Sequence, residues 1–182
     1  GFYSEVEQMI NSESFKSFPS VRDRRLKEFR KRIKNTGILP GWMLDELRLM
    51  QESFAEGTPL RARSSTNNED LEGFNGAGLY ESYTHYPDEG HFAKTAKQVW
   101  AGLWTYRAFE ERDFWKIDHL TASMGILVHP SFQDESANGV GVTKNIYIPG
   151  PGWSGHYVNV QKGENLVTNP EPGSVAEEYI IA

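Results

Sequence analysis

Arg61-Ala62-Arg63-Ser64-Ser65-Thr66-Asn67-Asn68-Glu69-Asp70-Leu71-Glu72-Gly73-Phe74-Asn75-Gly76-Ala77-Gly78 is the run on which the reading of this chain turns. It sets two arginines before a string of hydroxyl, amide and acidic side chains, and closes on Gly73, Gly76 and Gly78. Few of these side chains belong in an apolar core, and glycines so close together weaken any helix or strand interior. Arginine presents a planar fork of donors that matches phosphate oxygens two at a time. Glycines let main-chain N–H groups turn toward an anion with no side chain between them. The local chemistry points to a polyphosphate, and among polyphosphates to a nucleotide. The competing reading is an ordinary surface turn, which Asn, Asp, Ser and Gly also build. No spacing here matches the P-loop or the dinucleotide fingerprint.

Working outward, Pro59 to Arg63 reads as a short strand that delivers Arg63 to a strand end, where α/β sheets tend to place functional side chains. After the glycines, Leu79 to Tyr86 alternates like a strand and is closed by Pro87 and Gly90. His91 to Trp104 is the clearest helix, with Phe92, Ala96, Val99, Trp100 and Leu103 along one stripe, and Tyr106 to Phe109 continues it. That aromatic stripe is core rather than a base-stacking platform. Upstream, Tyr3 to Phe15 suits a short helix that Pro19 breaks, and Ser20 is placed to cap the helix from Val21 to Lys34. The latter is basic on every face but one, an arrangement that fits a solvated helix paired with nearby carboxylates better than a phosphate dock. Gly37 ends it, and Trp42 to Phe54 forms another helix with Trp42, Leu47, Met50 and Phe54 facing a core. Downstream, Ala122 to Val128 is a strand of buried type. Asn138-Gly139 is a turn signal leading into Gly139 to Thr143, and His156 to Gln161 is a further alternating strand.

At 182 residues, 38% hydrophobic and 24% charged, the chain is long enough for one cored domain or two small lobes. A net charge of −6 argues against a general nucleic-acid or membrane-surface binder, which needs a basic field. Cysteine is absent, so disulfides and thiolate metal sites are excluded. With no apolar run near the ~20 residues of a membrane span and no signal peptide, the expectation is a soluble, cytoplasmic protein. The chain opens without Met and closes on an apolar Tyr179 to Ala182, which suggests a piece of something longer. His85, His91, His119, His129 and His156 show no zinc-type spacing. Ser154, in Gly152-Trp153-Ser154-Gly155, sits in a Pro/Gly turn rather than in a hydrolase elbow.

The run Arg63-Ser64-Ser65, then Glu69-Asp70-Leu71 and Gly73, resembles the R-S-S-x-x-x-E-D-L-x-G signature of the nucleotide-binding domain of phosphoenolpyruvate synthase and pyruvate phosphate dikinase. Val99 to Trp104 with Arg107-Ala108 resembles that family's V-W-A-S-L-W…R-A segment. Gly139 to Thr143 and Asn159-Val160-Gln161-Lys162-Gly163-Glu164 resemble its A-x-G-V-x-x-T and N-x-Q-x-G-E blocks, with Lys162 as a one-residue insertion that shifts Glu164. The blocks occur in the right order from about Pro59 to Glu164.

The resemblance implies an α+β fold that is part of an ATP-grasp-like domain, in which two lobes hold ATP between them. A helical lead-in over residues 1–57 would precede an ATP-grasp-like region over 58–182, with a mainly antiparallel sheet and a packed helix. It implies ATP contacts at Arg63, Ser64, Gly73, Gly76, Gly78, Arg107 and Gln161. For Arg63 the competing role is a structural ion pair with Glu69 or Asp70. Glu69, Asp70 and Glu164 are further acidic candidates. The first two offer oxygens of the kind Mg²⁺ takes, although adjacent carboxylates at a turn more often cap or sit in solvent. By the resemblance, ATP and Mg²⁺ are the cofactors, and the metal ligands lie outside this chain. The partners would be the nucleotide and the remaining domains of a parent enzyme that moves a phosphoryl group from ATP to a histidine and on to an acceptor such as pyruvate. The family's G-G-K loop and its later acidic strand have no counterpart here, so the chain alone is expected to bind ATP weakly and catalyse nothing. A non-catalytic binding module derived from the same fold is the alternative.

Overall fold

The computed structural model describes residues 2–68, 76, 78–147, 155–163, 167, 173 and 175–181. Glu69, Asp70, Gly73 and Glu164 lie outside the described residues. The chain divides into two compact units, Gly1–Ser131 and Phe132–Ala182. Its helices and small antiparallel sheets make it an α+β protein. Among the described residues no helix is long and apolar enough to cross a membrane.

In the first unit, four helices precede the sheet: α1 (Phe2–Asn11), α2 (Glu13–Ser17), α3 (Pro19–Thr36) and α4 (Gly41–Glu52). The segment expected as one helix from Tyr3 to Phe15 is two, because Ser12 takes an extended backbone (ψ 137°) and its hydroxyl donates to the Met9 carbonyl at 2.8 Å. Pro19 does not end a helix but begins α3, at a position where its missing N–H is not needed. Leu26 and Phe29 are buried, while the basic residues of α3 reach carboxylates: Arg22 with Glu110 at 2.5 Å, Lys27 with Asp23 at 2.7 Å, Arg30 with Glu81 at 3.5 Å, and Arg32 with Glu5. Pairs this exposed contribute little individually, but Arg22 and Arg30 do more than pair. The Arg22 guanidinium donates to the Phe15 and Lys16 carbonyls at the end of α2, and Arg30 donates to Ala101 O near the end of α5 (Ala93–Gly102). Each satisfies carbonyls that a helix terminus leaves without partners.

The sheet has the order β2–β1–β3, all antiparallel, from β1 (Leu60–Thr66), β2 (Tyr83–His85) and β3 (Met124–Pro130). β2 is much shorter than the alternation over Leu79–Tyr86 suggests, because Leu79 and Tyr80 turn into the core instead of pairing. α5 covers one face of the sheet, with Phe92, Ala96 and Val99 packed on Leu60 and Ala62. Leu47, Met50 and Phe54 join that cluster from α4 and beyond, but Trp42 does not and is 66% exposed. α6 (Tyr106–Phe114) is a separate helix rather than a continuation of α5. Thr105 breaks the run (ψ 151°), and its hydroxyl accepts the Ala108 N–H at 3.1 Å as an N-cap. A second cluster gathers Phe15, Leu26, Phe29, Trp104 and Phe109 between the helices.

The second unit is the antiparallel sheet β4–β5–β6, from β4 (Ala137–Val142), β5 (His156–Lys162) and β6 (Glu177–Ile181). Asn138-Gly139 is not a turn: both residues lie inside β4, opposite Gln161 and Val160. Glycine is needed at 139 for proximity, since a Cβ there would stand 2.6 Å from the Asn159 carbonyl oxygen. The Asn138 amide instead ties β4 to Gly163 O at 2.6 Å.

Candidate functional site

Side chains alternate across a strand, so β1 divides into two sets. Leu60 and Ala62 face α5 and are buried. Arg61, Arg63 and Ser65 point the other way, and antiparallel register carries their cross-strand neighbours to the same side. Arg61 lies opposite Thr84 on β2 and His129 on β3, Arg63 opposite Leu127, and Ser65 opposite Gly125. Arg63, Ser65, Gly125 and Leu127 are exposed.

The two arginines are held in different ways. Arg63 Nε donates to His129 Nε2 at 2.9 Å. The other ring nitrogen, Nδ1, lies 2.7 Å from Pro130 O, which only accepts, so His129 carries its proton on Nδ1 and offers Nε2 as the acceptor. Arg61 Nη1 donates to Thr84 Oγ1 at 3.0 Å. Burial, and after it the neighbouring Arg63 cation, press the Arg61 pKa below the usual arginine value. Arginine keeps its charge regardless. Among the described residues neither arginine has an ion-pair partner, and each keeps N–H donors that no described residue accepts.

The same strand leads into the glycine-rich run, and both ends of that run are anchored. On the outgoing side, Asn67 Oδ1 accepts Ser123 N–H at 2.9 Å while its amide donates to Thr121 O at 3.0 Å. Asn68 is 3% exposed, and its Oδ1 accepts the Tyr80 hydroxyl at 3.3 Å from the returning side. Tyr80 OH in turn accepts from Arg112 Nη1 at 3.2 Å. Arg112, fully buried on α6, also donates through Nη2 to Leu103 O at 2.7 Å and through Nε to His119 Nδ1 at 3.3 Å, and lies 5.7 Å from the Trp104 ring centroid. Gly78 has φ +72° with open space where a Cβ would stand, so backbone conformation rather than crowding requires glycine there.

His119 stacks on Phe109 with ring centroids 3.8 Å apart. Burial, reinforced by the Arg112 charge and opposed by Asp113 and Asp118, lowers its pKa from 6.5 to about 4. A depressed histidine pKa means that the unfolded chain takes up a proton before the folded one does. Stability therefore falls as pH drops from about 6.5 to about 4, by roughly 2 kcal/mol once solvent screening at the exposed ring edge is allowed for. His119→Asn keeps an acceptor for Arg112 and removes the titration. Urea unfolding across that window should show a flatter pH dependence in the variant; parallel curves would exclude His119 as the source.

The sequence-derived candidates are distributed as follows. Arg63 is exposed in the middle of β1 rather than at its end, and Ser64 beside it is half-buried on the α5 side. Gly76 is buried and its carbonyl accepts Leu79 N–H at 3.0 Å. Arg107 is exposed in the first turn of α6. Gln161 is buried in β5 of the second unit. Period-two alternation on β1 is enough to put Arg61 beside Arg63. Thr84 and His129 depend on register, and neither carries a local signal. Arg112 sits in Glu110-Glu111-Arg112-Asp113, where it resembles solvated surface charge.

A cleft of about 700 Å³ lies away from this face, lined by Arg48, Gln51, Glu52, His85 and His91 among others. Its polar groups are largely satisfied: His85 by Thr95 and Gly90, Arg48 by Asp45 and Glu52, and His91 by Leu44 O. The sheet face, with donors still open, is the better candidate for an anion.

Residues 4–173 match the family described as pyruvate phosphate dikinase, AMP/ATP-binding domain. The chain belongs to this family. Its α+β architecture is the ATP-grasp-like fold of the pyruvate phosphate dikinase AMP/ATP-binding domain. A phosphoenolpyruvate synthase of Aeropyrum pernix is 39% identical over 75 residues, covering 41% of this chain and 9% of that protein. An uncharacterized phosphotransferase of Bacillus subtilis, YvkC, is 29% identical over 133 residues, covering 69% of this chain and 15% of that protein. The chain thus spans a small part of the length of these relatives. The family is that of an AMP/ATP-binding domain, and both of these relatives are much longer than this chain.

Proposed function

We propose that this chain supplies part of the ATP site of a cytoplasmic phosphotransferase, with Arg63 gripping the nucleotide phosphates. The observation that carries this reading is the exposed Arg63 guanidinium. Its Nε is committed to His129, its remaining N–H donors are open among the described residues, and it stands on the strand that leads into the glycine-rich run of an AMP/ATP-binding domain. Ser64, Gly73, Gly76, Gly78, Arg107 and Gln161 complete the proposed contacts, with Glu69, Asp70 and Glu164 as acidic neighbours. The proposed division is a helical lead-in over 1–57 and an ATP-grasp-like region over 58–182. In the parent enzyme, phosphate passes from ATP to a histidine and on to an acceptor such as pyruvate. Phosphoryl transfer rests on positioning and on cations that offset the developing charge, and a guanidinium fork supplies both.

Mg²⁺ would accompany the nucleotide. By the resemblance to the family, its protein ligands are assigned to the rest of the parent enzyme; among the described residues no group of three or more His, Cys, Asp or Glu is arranged to hold a metal ion.

Calorimetric titration of ATP, with and without Mg²⁺, tests the reading. Weak binding is expected, and Arg63→Ala should weaken it by roughly tenfold or more, the scale of a lost charge-assisted hydrogen bond. Equal affinity in the two proteins would remove Arg63 from the site.

A further inference from the structure

We infer that Arg61 is a second phosphate-positioning residue, so that β1 presents a paired-guanidinium platform to a polyphosphate, with Thr84 holding Arg61 as His129 holds Arg63. The inference rests on the nucleotide reading only for the identity of the polyphosphate. Residues two apart on a strand share a face and stand about 7 Å apart, so the two forks address neighbouring positions along one ligand.

The unusual feature is that two cations share one small face with no carboxylate among the described residues paired to either. Arg61 is half-buried beside Arg63, and each arginine is oriented by a neutral acceptor, the Thr84 hydroxyl or the His129 ring. On α3 of the same unit, by contrast, Arg22 takes Glu110 and Arg30 takes Glu81. Neutral partners fix geometry and leave the charge uncompensated, which is the condition in which a guanidinium pair attracts an external anion. The proximity of Arg63 raises the cost of keeping Arg61 charged, and a bound polyanion relieves it. Ser65 adds a hydroxyl on the same face, and Gly125 opposite it carries no side chain over that face. Leu127, 61% exposed opposite Arg63, adds an apolar border.

The test titrates the 182-residue chain with inorganic tripolyphosphate and, separately, with ATP, comparing the wild type with Arg61→Ala and Arg61→Lys. Tripolyphosphate binding should weaken roughly tenfold or more in Arg61→Ala and several-fold in Arg61→Lys, which retains the charge and loses the fork. Thermal unfolding establishes that each variant is folded, and Arg61→Lys decides the matter if the alanine variant is not. Unchanged tripolyphosphate affinity in a folded variant overturns the inference, as does a wild type that binds no tripolyphosphate. If tripolyphosphate binds through Arg61 while ATP does not bind, the platform stands and the nucleotide reading falls. If ATP binds through Arg63 and is indifferent to Arg61, the nucleotide reading stands and the platform falls.

Discussion

Arg112→Ala should lose about 3–5 kcal/mol of stability, the range for breaking a buried charged network. The side chain is fully buried, and its donors serve Leu103 O, Tyr80 OH and His119 Nδ1. Truncation leaves those acceptors unserved in a desolvated place, at a cost of about 1–3 kcal/mol for each group that water cannot reach, and opens a cavity beside Trp104. Arg112→Met fills most of the volume without burying a charge and should cost clearly less. Urea denaturation followed by tryptophan fluorescence measures both variants. A loss below about 1 kcal/mol in Arg112→Ala, within the range of an ordinary surface change, would show that this network does not hold the unit together. The loss also reaches the candidate site, because Tyr80 and Asn68 meet at the base of the glycine-rich run. Freed of Arg112, Tyr80 keeps only its weaker bond to Asn68. The backbone flanking that run should therefore exchange amide hydrogens faster in Arg112→Met than in the wild type.

The second large effect is expected at Phe15. It is 1% exposed and meets Phe109 edge-on with ring centroids 5.2 Å apart. Phe15→Ala should cost about 3–5 kcal/mol, combining lost transfer energy with a cavity. The helix that carries it, α2, is five residues long, far too short to persist without tertiary contacts. Arg22 also tethers it, donating to the Phe15 and Lys16 carbonyls and pairing with Glu110 on α6. Phe15→Leu keeps a buried anchor and should lose less than half as much. Proteolysis in the 12–18 segment, compared between the two variants, reports whether α2 has come loose. Equal protection in both would mean that Phe15 is not what holds α2 in place.

Much of the candidate site is legible along the chain. Arg61, Arg63 and Ser65 fall on one side of β1 by alternation alone, and the hydrophobic stripe of α5 correctly places the opposite face in the core. The motifs from Arg63 onward lead to the family that the match over residues 4–173 establishes. Readings that fail do so where a local signal has more than one use. Proline at 19 starts a helix as readily as it stops one, and glycine at 139 serves a close interstrand contact in place of a turn. Trp42 carries a core-type side chain on a helix whose burial depends on what packs against it, and among the described residues it stays outside both core clusters of its unit.

What the chain determined by itself is whatever repeats along it: the periods of strand and helix, the glycine-rich run after β1, and the ordered blocks that mark the family. Tertiary structure alone decided the rest. Register brought Thr84 and His129 beside the two arginines from 23 and 66 positions away. Desolvation turned Arg112, one charge among several in its sequence neighbourhood, into the hub between Tyr80, Leu103 and His119. The physical reason is common to both cases. Periodicity is a property of neighbouring residues, whereas register and burial depend on which distant segments the fold sets against them.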